Sequence, residues 1–155
     1  MDQVVILAGG HGSRMKAAIP KPMLEVLGVP MLGWVVQACE AADLRNICVV
    51  TGYKSQFIEH YLNNKYKTVL QAERLGTGHA VMQAVPVLEE NPDGNTLVLC
   101  GDAPFMDSIP SPQSDRNFMV DRAISCCFAS CVMAKNPALC RFCGLWREMR
   151  NYGYF

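Results

Sequence analysis

Gln3-Val4-Val5-Ile6-Leu7-Ala8-Gly9-Gly10-His11-Gly12-Ser13-Arg14-Met15, residues 3–15, decides the fold. Its first half, Gln3 to Ala8, is a short continuous apolar run of the kind that forms a strand buried on both faces. Its second half cannot continue a strand or start a long helix, because Gly9, Gly10 and Gly12 leave the backbone free to turn and bring several N–H groups toward one point. A buried strand that ends in such a turn is where open α/β sheets bind anions. The other reading of the glycines is a turn with no ligand.

The pattern repeats outward. Asn46 to Val50 is a second apolar strand ending at Thr51-Gly52, Lys67 to Leu70 a third, and Thr96 to Cys100 a fourth ending at Gly101-Asp102. Between them lie helical stretches: Met31 to Ala42, apolar at Leu32, Val35, Val36 and Cys39; Lys54 to Leu62; and Thr77 to Glu90, with Thr77 as N-cap. Apolar strands separated by amphipathic crossovers predict an α/β fold, a mainly parallel sheet covered on both faces. The segment after strand one carries Pro20, Pro22, Gly28 and Pro30 as well as the glycines, and is expected to be a long loop with a role of its own.

Spacing excludes two familiar phosphate loops. A dinucleotide fingerprint needs a glycine where Met15 stands and an acidic residue near Thr51-Gly52, and a P-loop needs Gly-Lys-Ser/Thr. Lys21, between Pro20 and Pro22, is expected in extended backbone with its ammonium aimed into the loop, and Arg14 would add a planar fork for a phosphate oxygen. The plainer reading of both is a solvated surface cation. Asp102, beside a glycine at the end of a buried strand, is a hard oxygen ligand suited to Mg²⁺; its alternative is to cap a helix starting at Asp102-Ala103-Pro104.

Composition sets limits. The 155 residues are half apolar, with fourteen basic and fourteen acidic residues, so no global positive field holds nucleic acid or an anionic membrane. No apolar run approaches the roughly 18 residues of a membrane span, the start lacks the pattern of a signal peptide, and the expected location is cytoplasmic. The totals conceal a seam, set at Phe105 to Asp107. Residues 1–106 hold three cysteines, five lysines and three arginines; residues 107–155 hold five cysteines, one lysine and five arginines and show no periodicity. The tail is expected to be of doubtful fold, the product of a shifted reading frame near codon 107. Cys127, Cys131, Cys140 and Cys143 offer a weaker alternative, a zinc site lacking partner histidines.

Taken together, LAGGHGSRM, IPKPM, LQAERLGTGHA and LVLCGD resemble the sugar-1-phosphate nucleotidyltransferases, and within them the N-terminal uridyltransferase domain of bacterial N-acetylglucosamine-1-phosphate uridyltransferase. Departures are Gly9 for a usual alanine, Ser13 for threonine, and Pro22 for a frequent hydrophobic residue. The resemblance implies a Rossmann-like sheet, incomplete here, and formation of UDP-N-acetylglucosamine for peptidoglycan and cell-wall synthesis from UTP and a sugar 1-phosphate, with pyrophosphate released. It implies that Leu7, Ala8, Gly9 and Gly10 contact the nucleotide through main-chain groups, that Arg14 and Lys21 hold the triphosphate, and that Gln71 pairs with the uracil edge through a donor and an acceptor. Gly76 and Thr77 would lie against the base, Cys100 and Gly101 would line the floor, and Asp102 would bind Mg²⁺. His11 and His79 are expected to have no acid–base role. Beyond Met106 the resemblance ends, so the chain is expected to be a fragment with little or no turnover. Other sugar phosphates, the molybdenum cofactor, or a non-catalytic nucleotide-binding module remain alternatives, and homo-oligomerisation is a possibility only for a full-length protein.

Overall fold

The computed structural model describes residues 3–10, 18–91 and 96–104, and the backbone of 95 and 132–135. The boundary at Phe105 to Asp107, the cysteines of the proposed zinc site, His11 and Arg14 lie outside the described residues. The described residues form seven strands and three α-helices: β1 (Gln3–Leu7), β2 (Glu25–Val26), β3 (Val29–Pro30), α1 (Met31–Ala41), β4 (Asn46–Thr51), α2 (Ser55–Leu62), β5 (Lys67–Leu70), α3 (Thr77–Leu88), β6 (Asn95–Cys100) and β7 (Val132–Lys135).

The main sheet has the order β5-β4-β1-β6-β7. The β1–β4, β4–β5 and β1–β6 pairs are parallel; β7 alone runs antiparallel, against β6. Chain order therefore moves outward from β1 through β4 to β5 and then returns to β1's other side at β6. That reversal puts a topological switch point between the carboxyl ends of β1 and β6, where open sheets form a crevice.

Period-two alternation within the strands divides the core. Val4 and Ile6 of β1, Ile47 and Val49 of β4, and Leu97 and Leu99 of β6 pack on one face with Leu32, Val35, Val36 and Cys39 of α1 and Ile58 and Leu62 of α2. Val5, Cys48, Val50 and Val98 face the other way, onto Ala80, Val81, Ala84 and Leu88 of α3. The sheet is thus covered on both faces, as its apolar strands predict. β5, mostly exposed, is an edge. Gln3 ties the amino-terminal edge together: its Nε2 donates to Leu88 O at 3.2 Å and to Thr96 Oγ1 at 3.2 Å.

Four expectations need correction. Lys21 does not lie in extended backbone: Lys21–Met23 is a 3₁₀ turn, with Met23 N donating to Pro20 O at 2.8 Å and Leu24 N to Lys21 O at 3.0 Å. Pro22 is tolerated there because the first N–H groups of a helical turn have no internal acceptor. The expected long loop contains a hairpin, β2 paired with β3 through Leu27 and Gly28, whose φ values of 54° and 79° give the twist of a primed two-residue turn. Thr77 is the first residue of α3, not its cap; Gly76 caps the helix at φ 96°, a conformation glycine alone adopts easily, with no side-chain cap hydrogen bond. The sheet has a fifth strand, β7, drawn from the tail in which no element is expected. Among the described residues no helix is long and apolar enough to cross a membrane.

Candidate functional site

Three carboxyl ends meet at the switch point. Ala8 N donates to Val50 O at 2.8 Å, extending the β1–β4 ladder, and Gly101 N donates to Leu7 O at 2.9 Å, extending β1–β6. The backbone at Leu7 and Ala8 is therefore held from both sides as it leaves the sheet. Gly9 is buried and Gly10 exposed, so the chain surfaces within one residue. The two glycines at the ends of β1 and β4 are in close contact: a Cβ on Gly52 would stand 2.6 Å from Gly9 O and 2.8 Å from Gly9 Cα. Gly52 is a site-building residue the sequence reading passed over; its signal is a glycine closing a strand beside a second glycine-ended strand.

Lys21 arrives from the segment after β1. Pro22 is buried, Met23 packs against the core, Met31 N donates to Leu24 O at 2.9 Å, and Trp34 Nε1 of α1 donates to Val26 O at 2.8 Å. The 3₁₀ turn and the hairpin are thereby fastened to α1, so Lys21 projects from a fixed base. Lys54, at the start of α2, donates its Nζ to Ala18 O and lies 5.2 Å from the Tyr53 ring centroid, which ties the far end of the glycine loop to the sheet.

Lys21 and Asp102, 81 residues apart in sequence, meet across the crevice with Nζ and Oδ2 at 2.5 Å. Both side chains keep over a third of their surface exposed (39% and 37%), so the pair is open to a ligand. An ammonium that can turn to a phosphate oxygen and a carboxylate that can turn to a cation hold each other here. Residues 103 and 104 are not helical, and the Asp102 carboxylate is spent on Lys21, which argues against the helix-cap alternative. Cys100 is half-buried and Gly101 buried; a Cβ on Gly101 would lie 3.2 Å from Leu7 O. Among the described residues no cluster of three or more His, Cys, Asp and Glu side chains could hold a metal ion. The donor set fits an ion that takes one protein carboxylate and completes its shell with phosphate oxygens and water, as Mg²⁺ does.

Gln71 closes the crevice from β5. It is 6% exposed, its backbone N donates to Thr51 O at 2.8 Å, and its Nε2 donates to Gly76 O at 3.2 Å. The same Nε2 stands 3.1 Å from His79 Nδ1. Its Oε1 faces Gly9, where a Cβ would come within 2.9 Å. Gln71 Nε2 thus faces Gly76 O and His79 Nδ1, while Oε1 is the half of the carboxamide turned toward Gly9. Gly76 and Thr77, both exposed, bring the start of α3 to the same rim. Leu7, Ala8, Gly9, Gly10, Lys21, Gln71, Gly76, Thr77, Cys100, Gly101 and Asp102 are all carried by the carboxyl ends of the strands or the segments that follow them.

Comparison with known proteins gives the same picture. Residues 4–109 match the MobA-like NTP transferase domain. The chain is 44% identical over 102 residues to the bifunctional protein GlmU of Symbiobacterium thermophilum, covering 66% of this chain and 22% of that relative. It therefore spans about a fifth of the curated relatives it matches. Among solved structures it resembles HddC of Yersinia pseudotuberculosis, complexed with GMP-PN, at 30% identity and a TM-score of 0.55, over 69% of this chain and 52% of that one. A glucose-1-phosphate thymidylyltransferase from Bacillus anthracis shares the fold at 23% identity and a TM-score of 0.60, over 66% and 44%.

Proposed function

Since this chain belongs to the MobA-like NTP transferase domain family, we propose that its crevice is the nucleotide half of a sugar-phosphate nucleotidyltransferase site, taking UTP for transfer to N-acetylglucosamine 1-phosphate. The observation that carries the reading is the Lys21–Asp102 pair at the switch point, opposed by Gln71. Likeness to GlmU at 44% identity supports this sugar and this nucleotide over other members.

In the reaction, an oxygen of the sugar phosphate attacks the α-phosphorus in line, the bond from that phosphorus to the bridging oxygen breaks, and pyrophosphate departs with the electron pair. Lys21 exchanges Asp102 for a phosphate oxygen, and Arg14, by resemblance, adds a second cation. Leu7 to Gly10 hold the nucleotide through main-chain groups, the amides of Gly9 and Gly10 doing the donating because Ala8 N is already bonded to Val50 O; Gln71 with Gly76 and Thr77 receives the base, and Cys100 and Gly101 form the floor. Asp102, once released by Lys21, would hold Mg²⁺, which when bound neutralises phosphate charge. No protein nucleophile takes part; positioning and charge neutralisation do the chemistry. The chain spans 22% of the GlmU relative's length, and UTP binding with little or no turnover is the expected behaviour of these 155 residues.

Calorimetry with UTP and MgCl₂ tests this. Binding is expected in the wild-type chain and is expected to fall at least about tenfold in Lys21→Ala and in Asp102→Ala, the scale of a lost charge-assisted hydrogen bond. A folded chain that binds no UTP would overturn the reading. Release of pyrophosphate from UTP and N-acetylglucosamine 1-phosphate would show that the chain is more than a binding module.

A further inference from the structure

We infer that His79 is a positioning residue that fixes which half of the Gln71 carboxamide faces the nucleobase, and so makes the site prefer a base with a ring N–H donor over one with a ring acceptor there. The inference rests on the nucleotide reading above and concerns its base selectivity.

The hydrogen-bond inventory leaves one arrangement. Gly76 O can only accept, so the Gln71 atom 3.2 Å from it is the NH₂ nitrogen. That nitrogen also lies 3.1 Å from His79 Nδ1, which must then be the bare, accepting nitrogen of the ring. The proton sits on Nε2, since the hydrogen bond at one ring nitrogen sets the state of the other. His79 Nε2 faces Gln83 Nε2 at 3.2 Å, one helical turn along α3; for the Nε2–H to donate there, the Gln83 carboxamide turns its oxygen to the ring. That turn gives up the contact of Gln83 Nε2 with His79 O, which at 3.5 Å is the weaker of the two. Gly76, Gln71, His79 and Gln83 thus form one relay with a single direction of donation.

The consequence falls on Oε1. With both N–H groups of Gln71 occupied, the atom left for a ligand is the oxygen beside Gly9. An oxygen at that place accepts from the ring N–H of uracil and repels the ring nitrogen lone pair of cytosine. Without His79 one amide hydrogen is released, Gly76 alone retains the carboxamide, and it can turn over to show its NH₂ group instead. A site that hydrogen-bonds its substrate in one sense discriminates most strongly when the amide cannot turn.

Two measurements on the 155-residue chain test this. Long-range proton–nitrogen NMR of the ligand-free protein is expected to show His79 protonated on Nε2 and bare at Nδ1; the opposite tautomer overturns the inference without reference to any nucleotide. Calorimetry with UTP and CTP is expected to show the preference for UTP falling about tenfold in His79→Ala, the worth of one hydrogen bond. His79→Asn, whose side-chain oxygen can occupy the place of Nδ1, is expected to restore most of it. An unchanged UTP-to-CTP ratio in a folded His79→Ala chain overturns the relay while leaving the nucleotide site standing, whereas a wild-type chain that binds neither nucleotide removes the site itself.

Discussion

Gly52 and Gly9 carry opposite predictions although they touch. A methyl group at 52 would press on Gly9 backbone at 2.6 and 2.8 Å, and that buried backbone, next to Ala8 bonded to Val50 O, has little room to retreat. Gly52→Ala is therefore expected to destabilise the fold by about 2 kcal/mol or more, the cost of overpacking, visible as a lowered midpoint of urea unfolding. At Gly9 the first obstacle is Gln71 Oε1 at 2.9 Å, the tip of a side chain held by hydrogen bonds to Gly76 O and His79, with Thr51 O next at 3.3 Å. Gly9→Ala is expected to cost at most about 1 kcal/mol, the worth of a disturbed side-chain hydrogen bond, and to act mainly by weakening UTP binding through displacement of Gln71. Equal losses of stability in the two variants would contradict this account. The motif residues at this scale were readable in the sequence because glycines and prolines announce backbone requirements directly. The Gln71–His79 contact was not, since its partners sit eight positions apart across a turn whose path only the fold defines.

Among the elements, the strands β1, β4, β5 and β6 fall close to where apolar runs place them, and α1 to α3 where helical spacing does. What escaped is instructive. The β2–β3 hairpin turns at Leu27, a non-glycine residue at φ 54° and 84% exposed, which no turn preference favours. It is held by Trp34 rather than by its own sequence. β7 exists only by pairing with β6, a non-local contact without local signal. α3 carries Pro86 within its last turn, where the Met82 carbonyl loses its usual N–H partner. Pro86→Ala is expected to raise unfolding free energy by about 1–3 kcal/mol; a lowered midpoint would show that the proline fits some demand of packing. On β4, burial pushes the Cys48 thiol up to about 11, outweighing the opposing charge of Lys67. Folding thus favours the neutral thiol. The unfolded chain ionises first as pH rises, so this part of the stability is full below pH 9 and is lost as pH climbs toward 11. Cys48→Ala is expected to remove that component from the alkaline limb of a pH–stability curve.

For the whole molecule, β5 and β7 are the two edges of the sheet, and β7 comes from beyond the family match at residue 109. Cutting the chain after residue 109 would leave β6 with an unpaired side. Such a chain is expected to aggregate at lower concentration than the 155-residue protein in light scattering, because exposed strand edges recruit one another. Equal solubility would mean that β7 adds no protection. The architecture itself was legible from the first strand and its glycine turn, whereas the closing of the β6 edge depends on a segment that no local rule marks as a strand. β1, by contrast, is bonded along its full length to β4 on one side and β6 on the other. Its amides cannot exchange with solvent deuterium through fraying at an edge; they are expected to exchange only when the whole domain opens. The backbone that leads into the glycine turn is therefore expected to be the slowest-exchanging of the described residues, and the lifetime of the candidate site is the lifetime of the fold.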